Sequence, residues 1–569
     1  MPFLQNNPRF KGISLPPSGW ALAILLSLYI FTGLIGHDPW KHDDAITIGV
    51  AFDMASQGHW LLPQLAGQPY PDAPFYYWIA AGFAKLFSWL LPAHDAIRLA
   101  SGLFTLLALE FILLAARELH GKEFAATGPL VLAGSLGFLF HAHEAQPMLA
   151  ALTAHTAAYW ALILLPRQPR LATPVLGAAL GIAFLANGLL PVLALIPAIL
   201  LTLLLSEQRL TDALRLASSL ALALALCALW LLPAHLAAPD YLADFWLNEL
   251  SGLAKPLAAL HNLARYLNLL LWYAWPAMPL AAWALWARRR QLGQRPIALP
   301  ALAFIATLGL LAAFVETSSA PALLLLPPLV LLAVPGVGTL RRGAANAFDW
   351  FGMVTFTFFA AVVWVAWCAM VFGWPERLAR QVVRIEPGFV GHFGLVAAAF
   401  AALITLAWLW LIVTTPRSPM RGTMHWMCGV SLFWMLLAAL WMPWIDYGKT
   451  YRPVSASLAK ALPKNVDCIA NVNLPNATLA ILNYFDGITT VPQDSDASRH
   501  CHLLLMQGDP KDARALQTAG WHPIWLGHRP SDRHASDKLH LYRRQSRATS
   551  ADALGDIAIS DSQDNAARR

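Results

Sequence analysis

Apolar residues fill this chain in long unbroken runs, and polar residues gather in the gaps between them. Runs near the ~20 residues that a membrane-crossing helix needs lie at about 19–36, 98–116, 124–141, 148–165, 173–187, 189–206 and 213–235. Others follow at about 264–287, 297–315, 321–336, 350–373, 390–414 and 424–444. The pattern predicts an all-α polytopic membrane protein with about thirteen transmembrane helices. Two connections are too long to be simple turns. Segment 37–97 holds amphipathic pieces around 44–57 and 75–91, of the kind that lie in the plane of the membrane surface. Segment 236–263 is the second. Long ordered loops usually carry function, which makes both candidates for a site.

Past Pro443 the pattern changes. DCIANVNL, ATLAILNYF, CHLLLMQG, DARALQTAGW, HPIWLGH and KLHLYRR alternate between strand-like and helix-like stretches, which predicts a small α/β domain over 447–545. The transmembrane part is then 1–446, and the Ala/Asp/Ser-rich stretch 546–569 is expected to be disordered.

Composition narrows the class. Of 569 residues, 58% are hydrophobic and 12% charged, half the ~25% charged fraction of soluble domains. This excludes a soluble enzyme with one anchor, a disordered chain and a small disulfide scaffold. The net charge of +7 does not point to nucleic acid, because it follows the positive-inside rule. Arg117 with Lys122, Arg167 with Arg170, Arg209, Arg288 to Arg290 with Arg295, Arg341 with Arg342, and Arg417 with Arg421 fall on alternate loops. With the polar amino-terminal stretch read as an uncleaved cytoplasmic start, those are the inner loops. An odd number of spans then puts the C-terminal domain outside the cytoplasm. Arg377, Arg380 and Arg384 are the main exception, a basic cluster on an outer connection. Cys227, Cys368 and Cys428 read as buried apolar residues, whereas Cys468 and Cys501 lie on neighbouring candidate strands. In an oxidising compartment they either form a disulfide or stay as two buried thiols. No nucleotide-binding fingerprint is present. A transporter would place ionisable groups near mid-bilayer and show paired halves, and this chain gathers them at the outer face.

Three clusters carry candidate chemistry. Asp43-Asp44, with Lys41 and His42 before them, stands just after the first span. Such carboxylates serve as a general base or a cation ligand, or they merely open a helix. His141-Ala142-His143-Glu144-Ala145-Gln146 closes the third span. There His143 and Glu144 are candidate ligands for a divalent metal cation and Glu144 a candidate site carboxylate, against a plain polar turn. Asp244, Phe245, Trp246, Asn248 and Glu249 form an acidic aromatic stretch in the second long connection, suited to a sugar pocket or to interfacial anchoring.

The order of motifs in the first long connection resembles the GT-C superfamily of membrane glycosyltransferases, in the branch with lipid A aminoarabinose transferases and protein O-mannosyltransferases. The matching residues are Asp43-Asp44, Gly58-His59-Trp60, Pro74 to Trp78, Lys85-Leu86-Phe87 and Arg98-Leu99. The resemblance implies a multi-pass protein of the bacterial inner membrane with a periplasmic site. It implies inverting transfer of a sugar from a polyprenyl-phosphate donor to a glycolipid, envelope glycan or protein acceptor. Asp43 is then the catalytic carboxylate, Asp44 its neighbour and Glu144 or Gln146 the second acidic position. The chain departs from the family at three basic positions: Pro71-Asp72-Ala73-Pro74, Ala186-Asn187-Gly188 and Ser318-Ser319-Ala320-Pro321 each lack the family lysine. Lys41, Lys85, Arg98, Lys255 and Arg265 are the candidates to hold the donor phosphate instead, with Gln146 and Glu249 as further substrate-binding candidates. The same departures admit a non-catalytic lipid-binding relative.

Overall fold

The computed structural model describes residues 19–544 except 41, 255–258, 417, 419, 465–466, 509–519 and 535–536. The expected disordered tail and the DARALQTAGW helix, apart from its last two residues, therefore lie outside the described residues. Each of the thirteen apolar runs falls on helix. Eight helices are long and apolar enough to cross a membrane alone, and up to ten if two bent pairs each count as one span. The bent pairs are Lys122–Ala133 with Leu136–Ala142, at 71°, and Ala259–Tyr273 with Ala277–Ala287, at 103°. Gly19–Phe31, Met148–Leu164 and Leu189–Leu204 are apolar but shorter. A count of thirteen full spans is thus not reached by length, because several apolar runs break at Gly or Pro. Run 124–141, for instance, bends at Gly134, between Lys122–Ala133 and Leu136–Ala142.

The first long connection folds into the two helices its amphipathic pieces predict, Asp43–Gln57 and Phe75–Leu86, with a short hairpin pairing Gln64–Leu65 and Gln68–Pro69 between them. Helix Asp43–Gln57 opens on two acids, which favour its positive N-terminal end. It closes on Gly58 in the left-handed conformation, φ 82°. Trp230 Nε1 donates to the Leu61 carbonyl at 3.0 Å, and the Tyr241 hydroxyl donates to the Tyr70 carbonyl at 2.7 Å. These bonds strap the connection to helices Arg209–Ala237 and Pro239–Ala254.

The C-terminal domain is a five-stranded mixed sheet in the order Val491–Pro492, Ile469–Val472, Leu503–Gln507, Leu539–Arg544, Trp521–Gly527. The first three strands are parallel and the last two pair antiparallel. Cys468 and Cys501 are joined, with Cα atoms 5.1 Å apart. The crossover helix Asn476–Asp486 lies against Asp43–Gln57. The approach is close enough that a Cβ on Gly49 would meet the Ala480 Cβ at 2.7 Å. Asn483 Nδ2 donates to Asp53 at 2.8 Å, and the Tyr484 hydroxyl meets His94 Nδ1 at 2.7 Å. The domain thereby sits on the back of the helix that begins at Asp43.

Candidate active site

Arg98, on helix Ala93–His120, is wholly buried and organises the neighbourhood. Its Nε and one terminal nitrogen grip both oxygens of Asp44, at 3.0 and 2.8 Å. The remaining donors reach the His37 and Asp38 carbonyls, at 2.8 and 2.9 Å, and Asp95 at 3.4 Å. All its N–H directions are in use. Burial pushes the Asp44 carboxyl up, but the charge and hydrogen bonds of Arg98 outweigh that and hold it below the ordinary aspartate range. Asp44 also accepts from the Trp40 N–H at 3.1 Å and the Ala145 N–H at 2.8 Å. The pair is therefore a buried clasp holding the end of the first span, the start of the interfacial helix and the turn after the third span together.

That turn is fixed from its other side as well. Ser101 Oγ donates to the Glu144 carbonyl at 2.6 Å and meets the Tyr76 hydroxyl at 2.7 Å. The Gln146 N–H lies 3.3 Å from both hydroxyls. With backbone held this way, the Gln146 side-chain amide donates to Asp43 Oδ2 at 3.2 Å. Asp43 itself is exposed. Glu144 is partly open, and His141 Nδ1 lies 3.9 Å from its carboxylate. Burial first, then the negative charges of Asp44 and Asp43, push the Glu144 carboxyl up to about 7 against the pull of Lys449. Lys449, at the end of helix Met442–Lys449, stands with Nζ 4.3 Å from the centre of the Trp40 ring. The arrangement presents two adjacent, solvent-reached carboxylates, an amide and an ammonium group on a rigid base. A carboxylate that titrates near neutrality, as Glu144 does, suits acid–base chemistry.

Of the residues expected from the sequence, Asp43, Glu144 and Gln146 come together. Asp44 is adjacent but saturated, which makes it a positioning group. Arg98 is too committed to Asp44 to receive a phosphate. Lys41 and Lys255 lie outside the described residues. Lys85 is exposed with Nζ 5.3 Å from the Trp60 ring centre, not at the carboxylates. Glu249 accepts from the Leu189 N–H at 2.6 Å and so caps helix Leu189–Leu204 instead of facing Asp43. The expected metal pair does not assemble. His143 turns inward, its ring nitrogens 2.9 and 2.6 Å from the Leu139 and Tyr29 carbonyls. Among the described residues no group of three or more His, Cys, Asp or Glu is placed to hold a metal ion. Phe245, expected at a sugar pocket or as an interfacial anchor, is buried against Trp230, ring centres 5.3 Å apart. Lys449 escaped the sequence reading because nothing local marks it; only the return of the chain to Trp40 does.

Comparison with known proteins follows the same lines. The family model for dolichyl-phosphate-mannose-protein mannosyltransferases matches residues 70–232. The structure of ArnT from Cupriavidus metallidurans bound to undecaprenyl phosphate superposes with a TM-score of 0.68, covering 93% of this chain and 98% of that one at 16% identity. The chain has the fold of the GT-C glycosyltransferases. The apo form of ArnT gives a TM-score of 0.66 at 16% identity, over 92% of this chain and 97% of the other. The undecaprenyl phosphate-alpha-4-amino-4-deoxy-L-arabinose arabinosyl transferase of Pseudomonas savastanoi pv. phaseolicola is 31% identical over 242 residues, 40% of this chain and 44% of the relative. The alignment thus spans less than half of that curated relative. The resemblance read from the ordered motifs holds, and with it a multi-pass membrane architecture.

Proposed function

We propose that the chain is an inner-membrane glycosyltransferase that moves a sugar from a polyprenyl-phosphate donor to an acceptor at the periplasmic face. The observation that carries this reading is the cluster of Asp43, Glu144 and Gln146 on an interfacial helix and turn, backed by the Arg98–Asp44 clasp. Asp43 takes the proton of the acceptor nucleophile as that atom attacks the anomeric carbon. The bond from that carbon to the phosphate oxygen breaks, the configuration inverts, and the lipid phosphate leaves as an anion. A leaving anion in a site of low polarity needs a cation. Of the two described cations whose charges reach Glu144, Arg98 is committed to Asp44, so Lys449 takes the role of the absent family lysines. The disulfide fits an oxidising compartment and hence the periplasmic side. The acceptor is a glycolipid, an envelope glycan or a protein.

A second reading, a non-catalytic lipid-binding relative, draws on the commitment of Arg98 to Asp44 and the displacement of Lys85 to Trp60. One assay separates the two. Purified protein in lipid discs receives undecaprenyl-phosphate-linked aminoarabinose and envelope lipid, with transfer followed by mass spectrometry. Asp43→Asn is expected to lower the rate about a hundredfold or more, and Lys449→Met to weaken undecaprenyl phosphate binding while wild-type folding is kept. Donor binding without transfer by the wild-type protein, across glycolipid, glycan and protein acceptors, selects the second reading.

A further inference from the structure

The basic cluster that breaks the charge pattern has a place in the fold that the transfer site does not use. Helix Glu376–Ile385 joins the two apolar helices Arg342–Phe372 and Leu395–Thr414, and none of its residues is buried. At 100° per residue Arg377, Arg380 and Arg384 fall within an arc of about 60°, with Glu376 at its edge. Leu378, Val382 and Ile385 form the opposite face. The three guanidinium groups are exposed and, among the described residues, have no side-chain partner. The apolar face is bare as well, with Leu378 42% and Ile385 43% exposed and Val382 half-buried. Trp374 at 69% and Phe393 at 53% flank the helix at either end, the positions where aromatic rings anchor at a membrane surface.

The side on which this helix lies is fixed by contacts. Immediately after it the Tyr447 hydroxyl donates to the Pro387 carbonyl at 3.0 Å, and Phe389 packs on Tyr447 with ring centres 5.6 Å apart. Glu386 lies against Gly448, where a Cβ would come within 2.3 Å of its carboxylate. The helix is therefore on the face that carries Lys449 and the C-terminal domain. An amphipathic helix with one bare apolar face and one arginine face is stable when hydrocarbon covers the first and anionic headgroups meet the second.

We propose that helix Glu376–Ile385 lies in the membrane surface and that Arg377, Arg380 and Arg384 hold the phosphate groups of anionic lipids of the leaflet facing the site. Bidentate pairing of guanidinium with phosphate gives the arginine face its preference over a zwitterionic surface. The proposal does not depend on transfer activity. The full-length protein is exchanged into discs of mixed phosphatidylglycerol and phosphatidylcholine, then released, and the retained lipid is counted by native mass spectrometry. The wild-type protein is expected to retain phosphatidylglycerol about threefold or more over its share in the disc. R377Q/R380Q/R384Q should lose most of that enrichment, and R377K/R380K/R384K should keep part of it. Equal enrichment in the glutamine variant and the wild type overturns the proposal, as does wild-type retention without preference. A glutamine variant that changes the oligomeric mass with lipid retention unaltered also overturns it, and assigns the face to a second copy of the chain.

Discussion

Two neighbouring aspartates take opposite parts because of what reaches them. Asp44 is held by four hydrogen bonds, two of them from a buried arginine, whereas Asp43 is open and meets a single amide. Asp44→Asn is expected to destabilise the protein by about 3 kcal/mol, because it strands a buried guanidinium. Asp43→Asn is expected to leave the melting temperature within a degree or two, and thermal unfolding in detergent compares them. Glu144 adds a pH dependence of definite sign. Its folded carboxyl titrates at about 7, above the ordinary glutamate value of 4.5. Between those limits the folded state holds the proton more tightly, so stability falls as pH rises from about 4.5 to about 7. The side chain is 35% exposed, and solvent screening reduces the effect to about 1 kcal/mol. Melting curves at pH 5 and pH 8 should show that slope in the wild-type protein and its loss in Glu144→Gln. The pair Asp43-Asp44 was visible in the sequence as a dipeptide. Which of the two is open was not, since that depends on Arg98, 54 positions further on.

At the scale of elements, hydrophobic pattern located each helix of the bundle and both interfacial helices, because apolar periodicity is a local property of the chain. The break at Gly188 was legible, but bends inside one apolar run were harder to place, such as the one at Gly134 between Lys122–Ala133 and Leu136–Ala142. The second long connection shows the limit most clearly: Asp244 to Glu249 reads as a pocket lining or an interfacial anchor, yet Phe245 packs inward and Glu249 caps a neighbouring helix. Either outcome satisfies the same sequence. Close packing between elements is equally invisible until the partners are known. Gly49 is an unremarkable residue in its helix, but Ala480 and Leu65 leave it no room for a side chain. Gly49→Leu is expected to cost about 2–3 kcal/mol through overpacking, and to loosen the C-terminal domain. Limited proteolysis should release that domain faster from the variant than from the wild-type protein.

For the molecule as a whole, the C-terminal domain is a structural partner of the site, and its disulfide closes a loop of 33 residues across two parallel strands. A loop of that length is worth about 3–4 kcal/mol in the chain-entropy account. C468S/C501S is expected to lower the unfolding midpoint of the domain, measured by protease resistance with and without a reductant; reductant should leave the double variant unchanged. The domain reaches back across the entire chain to do its work. Asp38 accepts from Thr450 at 2.6 Å and pairs with Arg452, the Trp40 indole donates to Asp446 at 2.9 Å, and Lys449 covers the same ring. The partners of these contacts lie more than four hundred positions apart. During synthesis Asp43 is consequently made long before its surroundings exist. A nascent chain carries Asp43 on an unsupported helix, without its ammonium neighbour, until the last part has been made and folded. The closure between early and late segments thus acts as a completion check: a truncated or stalled chain inserts its spans but never assembles the charge pattern around Asp43.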